Sequence, residues 1–181
     1  MEQLLYGAPV AKQLDEISFK VFQDFRSINK IPHMTAITVG NNQASLLYVS
    51  RKKEKAEILG VEFNWHKLDE NTSQEDLNEL IQKESKTTDG LIVQLPLPEH
   101  LITEDVINCI PPEVDVDGLT SYNLGNLFSS EYKLIPATSL AVLELLNHYQ
   151  IKTEDKNVVI AGRSRLVSSP LAKILSSKSY N

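Results

Sequence analysis

Hydrophobic positions along the chain recur with two periods, one helical and one extended. Val10, Leu14, Ile17, Val21 and Phe25 fall three or four residues apart, which predicts an amphipathic helix over about residues 8–28. Ile31-Pro32 ends it, and Met34 to Val39 reads as a strand closed by the turn Gly40-Asn41-Asn42. A second helix is expected over 43–59 with Gly60 as its C-terminal stop, then a strand from Val61 to Leu68. Thr72-Ser73-Gln74-Glu75 matches a capping box and opens a third helix to about Glu84. The most apolar stretch follows. In Gly90 to Leu95 a Leu-Ile-Val run starts after a glycine and stops at Gln94, the pattern of a strand buried on both faces. Pro96 cannot donate to a ladder, so the strand ends about there. Helices alternating with strands predict an α/β fold with a parallel sheet covered on both faces.

Beyond this strand the rhythm loosens. Thr103 to Ile110 reads as a short helix broken by Pro111-Pro112, and Asp115-Val116-Asp117-Gly118 as a carboxylate-rich turn. A long apolar helix is expected from Thr138 to Tyr149, with Leu140, Val142, Leu143 and Leu146 available for packing. Asn157 to Ala161 then reads as another buried strand, and Gly162-Arg163-Ser164 as the turn leading into a helix. A single βα unit cannot bury its own sheet faces, so the last part of the chain reads as an incomplete second domain. The expected division is a first domain over 1–136, a linking helix over 137–152 and the start of a second domain over 153–181.

Composition narrows the picture only a little. With 41% hydrophobic and 23% charged residues in 181, the chain has ample material for a core and is ordinary for a globular protein. A net charge of -6 argues against a nucleic-acid partner, because phosphate binding wants clustered Lys and Arg. Cys109 is the one cysteine, which precludes an internal disulfide; its neighbours Ile107 and Ile110 point to a buried, inert thiol. No apolar stretch approaches the roughly 20 residues of a membrane span, and the first residues lack the basic and apolar regions of a signal peptide. No membrane is expected, and the cytoplasm is the expected location.

Four features could carry chemistry. Gln94 places an amide at the carboxyl end of a buried strand, where open α/β sheets put their ligands; the plain alternative is a Gln capping a loop. Tyr48 and Lys52 are four apart on the second helix and share a face. A lysine held in a substrate cleft suits general acid/base work, although Lys52 lies in a charged run of the kind that usually faces solvent. Asp115 and Asp117 would suit a metal, an amino-pyrimidine ring or turn capping, and without a nearby His or Cys they make a poor transition-metal site, so no metal is expected. Gly162-Arg163-Ser164, at the start of a predicted helix, favours a phosphate, yet it lacks the G-x-G-x-x-G dinucleotide spacing because positions 164 and 167 are Ser and Val.

Taken in order, these segments resemble the bifunctional methylenetetrahydrofolate dehydrogenase/cyclohydrolase family. Tyr48-Val49-Ser50-Arg51-Lys52 is similar to its Y-x-x-x-K, and Gly90 to Pro98 to its G-[IL]-[LI]-V-Q-L-P-L-P. Pro112 to Gly118, followed by Asn123 and Gly125, is similar to its P-x-K-D-V-D-G segment, and Gly162 to Val167 to its G-R-S-x-I-V-G-x-P turn. The resemblance implies a three-layer, parallel-sheet folate domain followed by the start of a Rossmann-like cofactor domain. It implies oxidation of 5,10-methylenetetrahydrofolate with NADP (NAD being the alternative acceptor), then hydrolysis of the 5,10-methenyl product to 10-formyltetrahydrofolate.

By the same resemblance Lys52 is the general acid/base, Gln94 hydrogen-bonds to it, Tyr48 stacks on the folate and Asp117 accepts from the pterin. Val49, Ser50, Arg51, Val93 and Leu95 complete the folate-binding set, while Gly162, Arg163 and Ser164 hold the 2′-phosphate side of NADP. The family forms homodimers, mostly through the cofactor domain. Two departures stand out: Ser168 replaces the second glycine of the cofactor turn, and Ile135-Pro136-Ala137-Thr138-Ser139 replaces the usual P-C-T-P. The family's chain also runs on for roughly a hundred residues beyond position 181, judged against a usual two-domain length. Two other readings follow from that: a chain that only binds folate or a partner, and one that keeps only the cyclohydrolase step.

Overall fold

The computed structural model describes residues 3–129 and 132–177. They form two compact units, one of Asp15–Val116 and one of residues up to Leu14 together with those from Asp117 onward.

In the first unit three parallel strands, β1 (His33–Val39), β2 (Glu62–Leu68) and β3 (Gly90–Val93), lie in the order β2-β1-β3. His33 is opposite Glu62 and Val39 opposite Leu68 on one side of β1, while Met34 is opposite Gly90 and Ile37 opposite Val93 on the other. The apolar runs explain this order. β1, buried from Thr35 to Val39, takes the central place; β2, rich in polar residues and only half-buried, takes one edge, while β3, buried throughout, lies at the other side with the bridge from Leu91 to Asp115 along its outer margin. Ile37, Val39, Leu91 and Val93 pack with Leu77 and Ile81 of α3 (Gln74–Glu84), Val106 of α4 (Thr103–Asn108) and Ile110. Alternation turns Ala36 and Ile92 to the opposite face, and α2 (Gln43–Leu59) packs on β1 and β2.

Local chemistry sets the helix ends. Asn42 caps α2 by accepting from the Ser45 amide at 3.0 Å, and Gly60 stops it in the left-handed region at φ 77°. For α3 the capping residue is Ser73, one position later than the sequence pattern placed it. Its hydroxyl accepts from the Asp76 amide at 3.1 Å and donates to the Asp76 carboxylate at 2.6 Å, so Asp76 takes the part expected of Glu75. β3 ends at Val93, two residues short of the expected Leu95, although the Gln94 amide still donates to the Ile37 carbonyl at 2.9 Å. Cys109 is half-buried rather than fully enclosed, and Gln82 donates to its carbonyl at 2.6 Å. The predicted first helix is α1 (Gly7–Ser27), but Val10 is its one buried residue; Leu14, Ile17, Val21 and Phe25 are 39–53% exposed.

In the second unit α5 (Ser121–Ser129), α6 (Ala137–His148) and α7 (Ser168–Leu175) surround a smaller core of Leu127, Leu143, Leu171 and Ile174. Leu140, expected to pack, is 40% exposed. The strand expected over 157–161 is absent. Those residues take no regular secondary structure and are mostly exposed, Val159 at 92%; a strand needs a ladder partner, and none is present among the described residues. Among those residues, too, no helix is long and apolar enough to cross a membrane.

Two substitutions test these local arguments. A Cβ on Gly90 would lie 2.6 Å from Cγ1 of Val116, and a β-branched side chain has little freedom to retreat. Gly90→Ala should therefore lower the urea midpoint by the equivalent of about 1–3 kcal/mol. Adding Val116→Ala should restore most of that loss, and a double variant no more stable than Gly90→Ala would clear Val116 as the obstacle. Ser73→Ala should cost about 1 kcal/mol by the same measurement; an unchanged midpoint would show that the cap carries no weight.

Candidate active site

The strand order β2-β1-β3 makes β1 the point at which the connections change direction, the first leading to one side and the next to the other. In open parallel sheets the carboxyl ends of the strands at such a point leave a crevice in which ligands bind. Gln94 follows the last residue of β3 at that end, and α2 begins just after β1 at the same end. Three successive turns of α2 then bring Ser45, Tyr48 with Val49, and Lys52 along one side of the helix.

The side chains meet there. Nζ of Lys52 donates to Oε1 of Gln94 at 3.2 Å, and Nε2 of Gln94 donates to the Leu95 carbonyl at 3.0 Å. Ser45, only 5% exposed, donates through Oγ to that same carbonyl at 3.2 Å. Lys52 and Gln94 are both half-buried, so neither belongs to a solvated charged face or a plain loop end. Tyr48 is 54% exposed, which leaves its ring free to stack on a flat ligand. A lysine amine whose direction is fixed by an amide oxygen is placed to exchange protons with a molecule bound beside it.

Other residues of the expected set fall differently. Val49 is 0% exposed and Val93 5%, so their side chains belong to the core and only their backbone is available to a ligand. Arg51 is exposed and Ser50 half-buried on α2. Asp115 is 1% exposed and makes a parallel bridge to Leu91, which assigns it to the sheet margin. Asp117 is half-buried and belongs to the other unit. Ser45 was not anticipated from the sequence. Its position seven residues before Lys52, on the same helical face, was the available signal.

The cofactor turn departs from expectation. Gly162, Arg163 and Ser164 do not open a helix, since α7 starts at Ser168. The Ser164 hydroxyl accepts from the Leu166 amide at 3.1 Å, its carbonyl accepts from the Ser169 amide at 3.0 Å, and Pro170 has no amide hydrogen to offer. The first turn of α7 thus has few donors left for a phosphate. Gly162 sits at φ 149°, and a Cβ there would lie 2.6 Å from Oγ of Ser168. The serine that replaces the second glycine therefore occupies the space beside the first. What remains suited to a phosphate is the exposed side chain of Arg163 and the hydroxyl proton of exposed Ser164, whose oxygen accepts from Leu166.

A separate cavity of about 260 Å³ lies between α5 and α7, lined by Leu124, Leu127, Phe128 and Pro170 with Arg165 and Lys173. Of the residues singled out in the sequence Gly125 lines it, and none of the expected catalytic, folate or cofactor residues does. α5 itself was not expected, because Gly125 and two Asn residues weaken its helical signal; the signal that marks it is Thr120, whose hydroxyl accepts from the Asn123 amide at 3.2 Å.

Known proteins share this sequence pattern and fold. The chain is 37% identical over 181 residues to the bifunctional protein FolD of Streptococcus sanguinis, an alignment covering 98% of this chain and 64% of that protein. A 5,10-methylenetetrahydrofolate dehydrogenase from the silkworm Bombyx mori superposes with a TM-score of 0.95 at 32% identity, over 100% of this chain and 63% of that one. The Trypanosoma brucei methylenetetrahydrofolate dehydrogenase-cyclohydrolase, solved with NADP cofactor and an inhibitor, superposes with a TM-score of 0.91 at 28% identity, over 97% and 62%. The chain thus spans about three fifths of the length of these relatives. The description of a tetrahydrofolate dehydrogenase/cyclohydrolase NAD(P)-binding domain matches residues 136–181. The corresponding catalytic-domain description matches residues 5–117, the stretch that contains β1 to β3 and the Lys52–Gln94 pair, and the chain belongs to the tetrahydrofolate dehydrogenase/cyclohydrolase family.

Proposed function

We propose that this chain carries the folate-handling part of an enzyme that oxidises 5,10-methylenetetrahydrofolate with NADP and hydrolyses the resulting 5,10-methenyltetrahydrofolate to 10-formyltetrahydrofolate. The observation that carries the reading is the hydrogen bond from Lys52 to Gln94 at the carboxyl end of β3.

Hydrolysis needs one group that moves protons beside the methenyl carbon. Water adds to that carbon, and Lys52, having first released its ammonium proton to solvent, takes one of the water's protons as the new C–O bond forms. Lys52 then returns a proton to N5 as the C–N5 bond breaks, and the second proton of the water leaves to solvent, so the cationic methenyl group becomes a neutral formyl group on N10. Gln94 holds the amine toward the reacting carbon through its Oε1. Tyr48 stacks on the folate rings, flanked by Ser50 and Arg51, and the backbone of Val49, Val93 and Leu95 lines the same end of the sheet. Asp117 accepts from the pterin amine and ring nitrogen.

For the oxidation, NADP supplies the hydride acceptor when bound. In this chain Arg163 and Ser164 would meet its 2′-phosphate through their side chains, beside Gly162. Action in the cytoplasm and homodimerisation through the cofactor domain belong to the same reading.

Replacing the proton carrier tests it. Lys52→Met should reduce methenyl hydrolysis by this chain at least 100-fold, within the range that positioned acid/base groups supply, while folate-analogue binding stays within a few-fold. Hydrolysis retained by the Met variant would remove Lys52 from its role. A chain that binds the analogue but hydrolyses nothing even with Lys52 in place would be a binding module.

A further inference from the structure

We infer that Ser45 is a positioning residue for the Lys52–Gln94 pair, acting through the Leu95 carbonyl. The inference rests on the proposed function above for its kinetic consequences, and on geometry alone for the rest.

An amide side chain has two ends of nearly the same shape and opposite hydrogen-bonding character. Turned one way, Gln94 offers Lys52 an acceptor; turned the other, it offers two N–H groups to an ammonium that has only N–H groups of its own. What selects the first orientation is the partner of Nε2, and that partner is the Leu95 carbonyl at 3.0 Å. The carbonyl belongs to the loop that leaves β3, one residue from Gln94 itself, so it can hold the amide only if it is itself held.

Ser45 supplies that restraint. A carbonyl oxygen has two lone pairs, and the second is taken by Oγ of Ser45 at 3.2 Å. The serine is 5% exposed, which keeps water from competing for the same oxygen. Ser45 and Lys52 are seven residues apart, two turns of one helix and on one side of it. The contacts therefore close a circuit: α2 carries Lys52, Lys52 holds Gln94, Gln94 holds the Leu95 carbonyl, and Ser45 returns that carbonyl to α2. One rigid helix sets the spacing of both anchors, so the direction of the amide follows the helix rather than the loop.

The test is made on the full chain by following methenyl hydrolysis. Ser45→Ala should lower kcat about tenfold, the value of one buried hydrogen bond, with KM for the folate unchanged within about twofold. Ser45→Thr, which keeps the hydroxyl, should restore most of the rate. In a Gln94→Ala background Ser45→Ala should add less than about twofold, since no amide is left to orient. The same loss in both backgrounds, or an unchanged kcat in the single variant, would overturn the inference. If the chain with Ser45 intact hydrolyses nothing, it is the enzymatic reading that fails. The positioning is then decided by NMR. The Gln94 side-chain amide should show two well-separated proton resonances that collapse toward the free-amide position in Ser45→Ala, and identical spectra would reject it.

Discussion

β3 is hydrogen-bonded to β1 from Gly90 to Val93 and buried along its whole length, and the polar part of the candidate site hangs from the point at which that ladder stops. A strand with both faces covered has no room for a polar side chain until it leaves the sheet. Gln94 is the first residue past that limit, and its amide makes the last backbone bond, to Ile37. The apolar run that drives folding and the amide that faces Lys52 are thus consecutive. A shift of β3 by one residue would turn Gln94 to the opposite face, away from α2. The register Met34–Gly90 to Ile37–Val93 is therefore a requirement of the site as much as of the core.

The register in turn depends on close packing at the start of the strand. Gly90 lets Val116 approach where any side chain would stand, and the Leu91 amide donates to the Val114 carbonyl at 2.7 Å while Leu91 bridges to Asp115. The segment 114–116 acts as a short continuation of the sheet, pressed against β3 from the side away from β1. Buried Asp115 is explained by this position, whereas Asp117, two residues on, lies beyond the bridge and is only half-buried. Two carboxylates that look equivalent in the sequence are separated by the end of pairing.

How far the sequence reveals such features depends on the range of the interaction that decides them. β1, α2, β2, α3 and β3 were legible within a residue or two, because apolar periodicity, Asn42, Gly60 and the Ser73 region are local signals. The proximity of Lys52 and Gln94 was not derivable from spacing, since 42 residues and a sheet separate them; it came only through family resemblance. Where a tertiary partner decides, local pattern misled. Asn157 to Ala161 has the composition of a buried strand but finds no ladder partner among the described residues and is mostly exposed, and the apolar stripe of α1 predicted burial for residues that remain on the surface. Val49 and Val93 show the opposite limit: flanking residues of a functional motif serve the core because a helix and a strand must each turn one side inward.

The distribution of groups between the two units separates the two proposed chemistries. Ser45, Lys52, Gln94 and Leu95 all belong to Asp15–Val116, so the hydrogen bonds that set the direction of the Gln94 amide are internal to one sheet and its helix. Arg163 and Ser164 belong to the other unit, on a turn whose serine is already engaged by the Leu166 amide and whose glycine is crowded by Ser168. Hydride transfer to NADP requires that turn to accommodate a phosphate, and proton transfer does not. Loss of the turn's capacity would therefore remove oxidation and leave hydrolysis intact, whereas loss of the Leu95 carbonyl's two hydrogen bonds would disable the proton carrier wherever NADP sat. In the proposed reading the placing of the proton carrier has the shorter physical chain of dependence, from one apolar run to one amide to one amine.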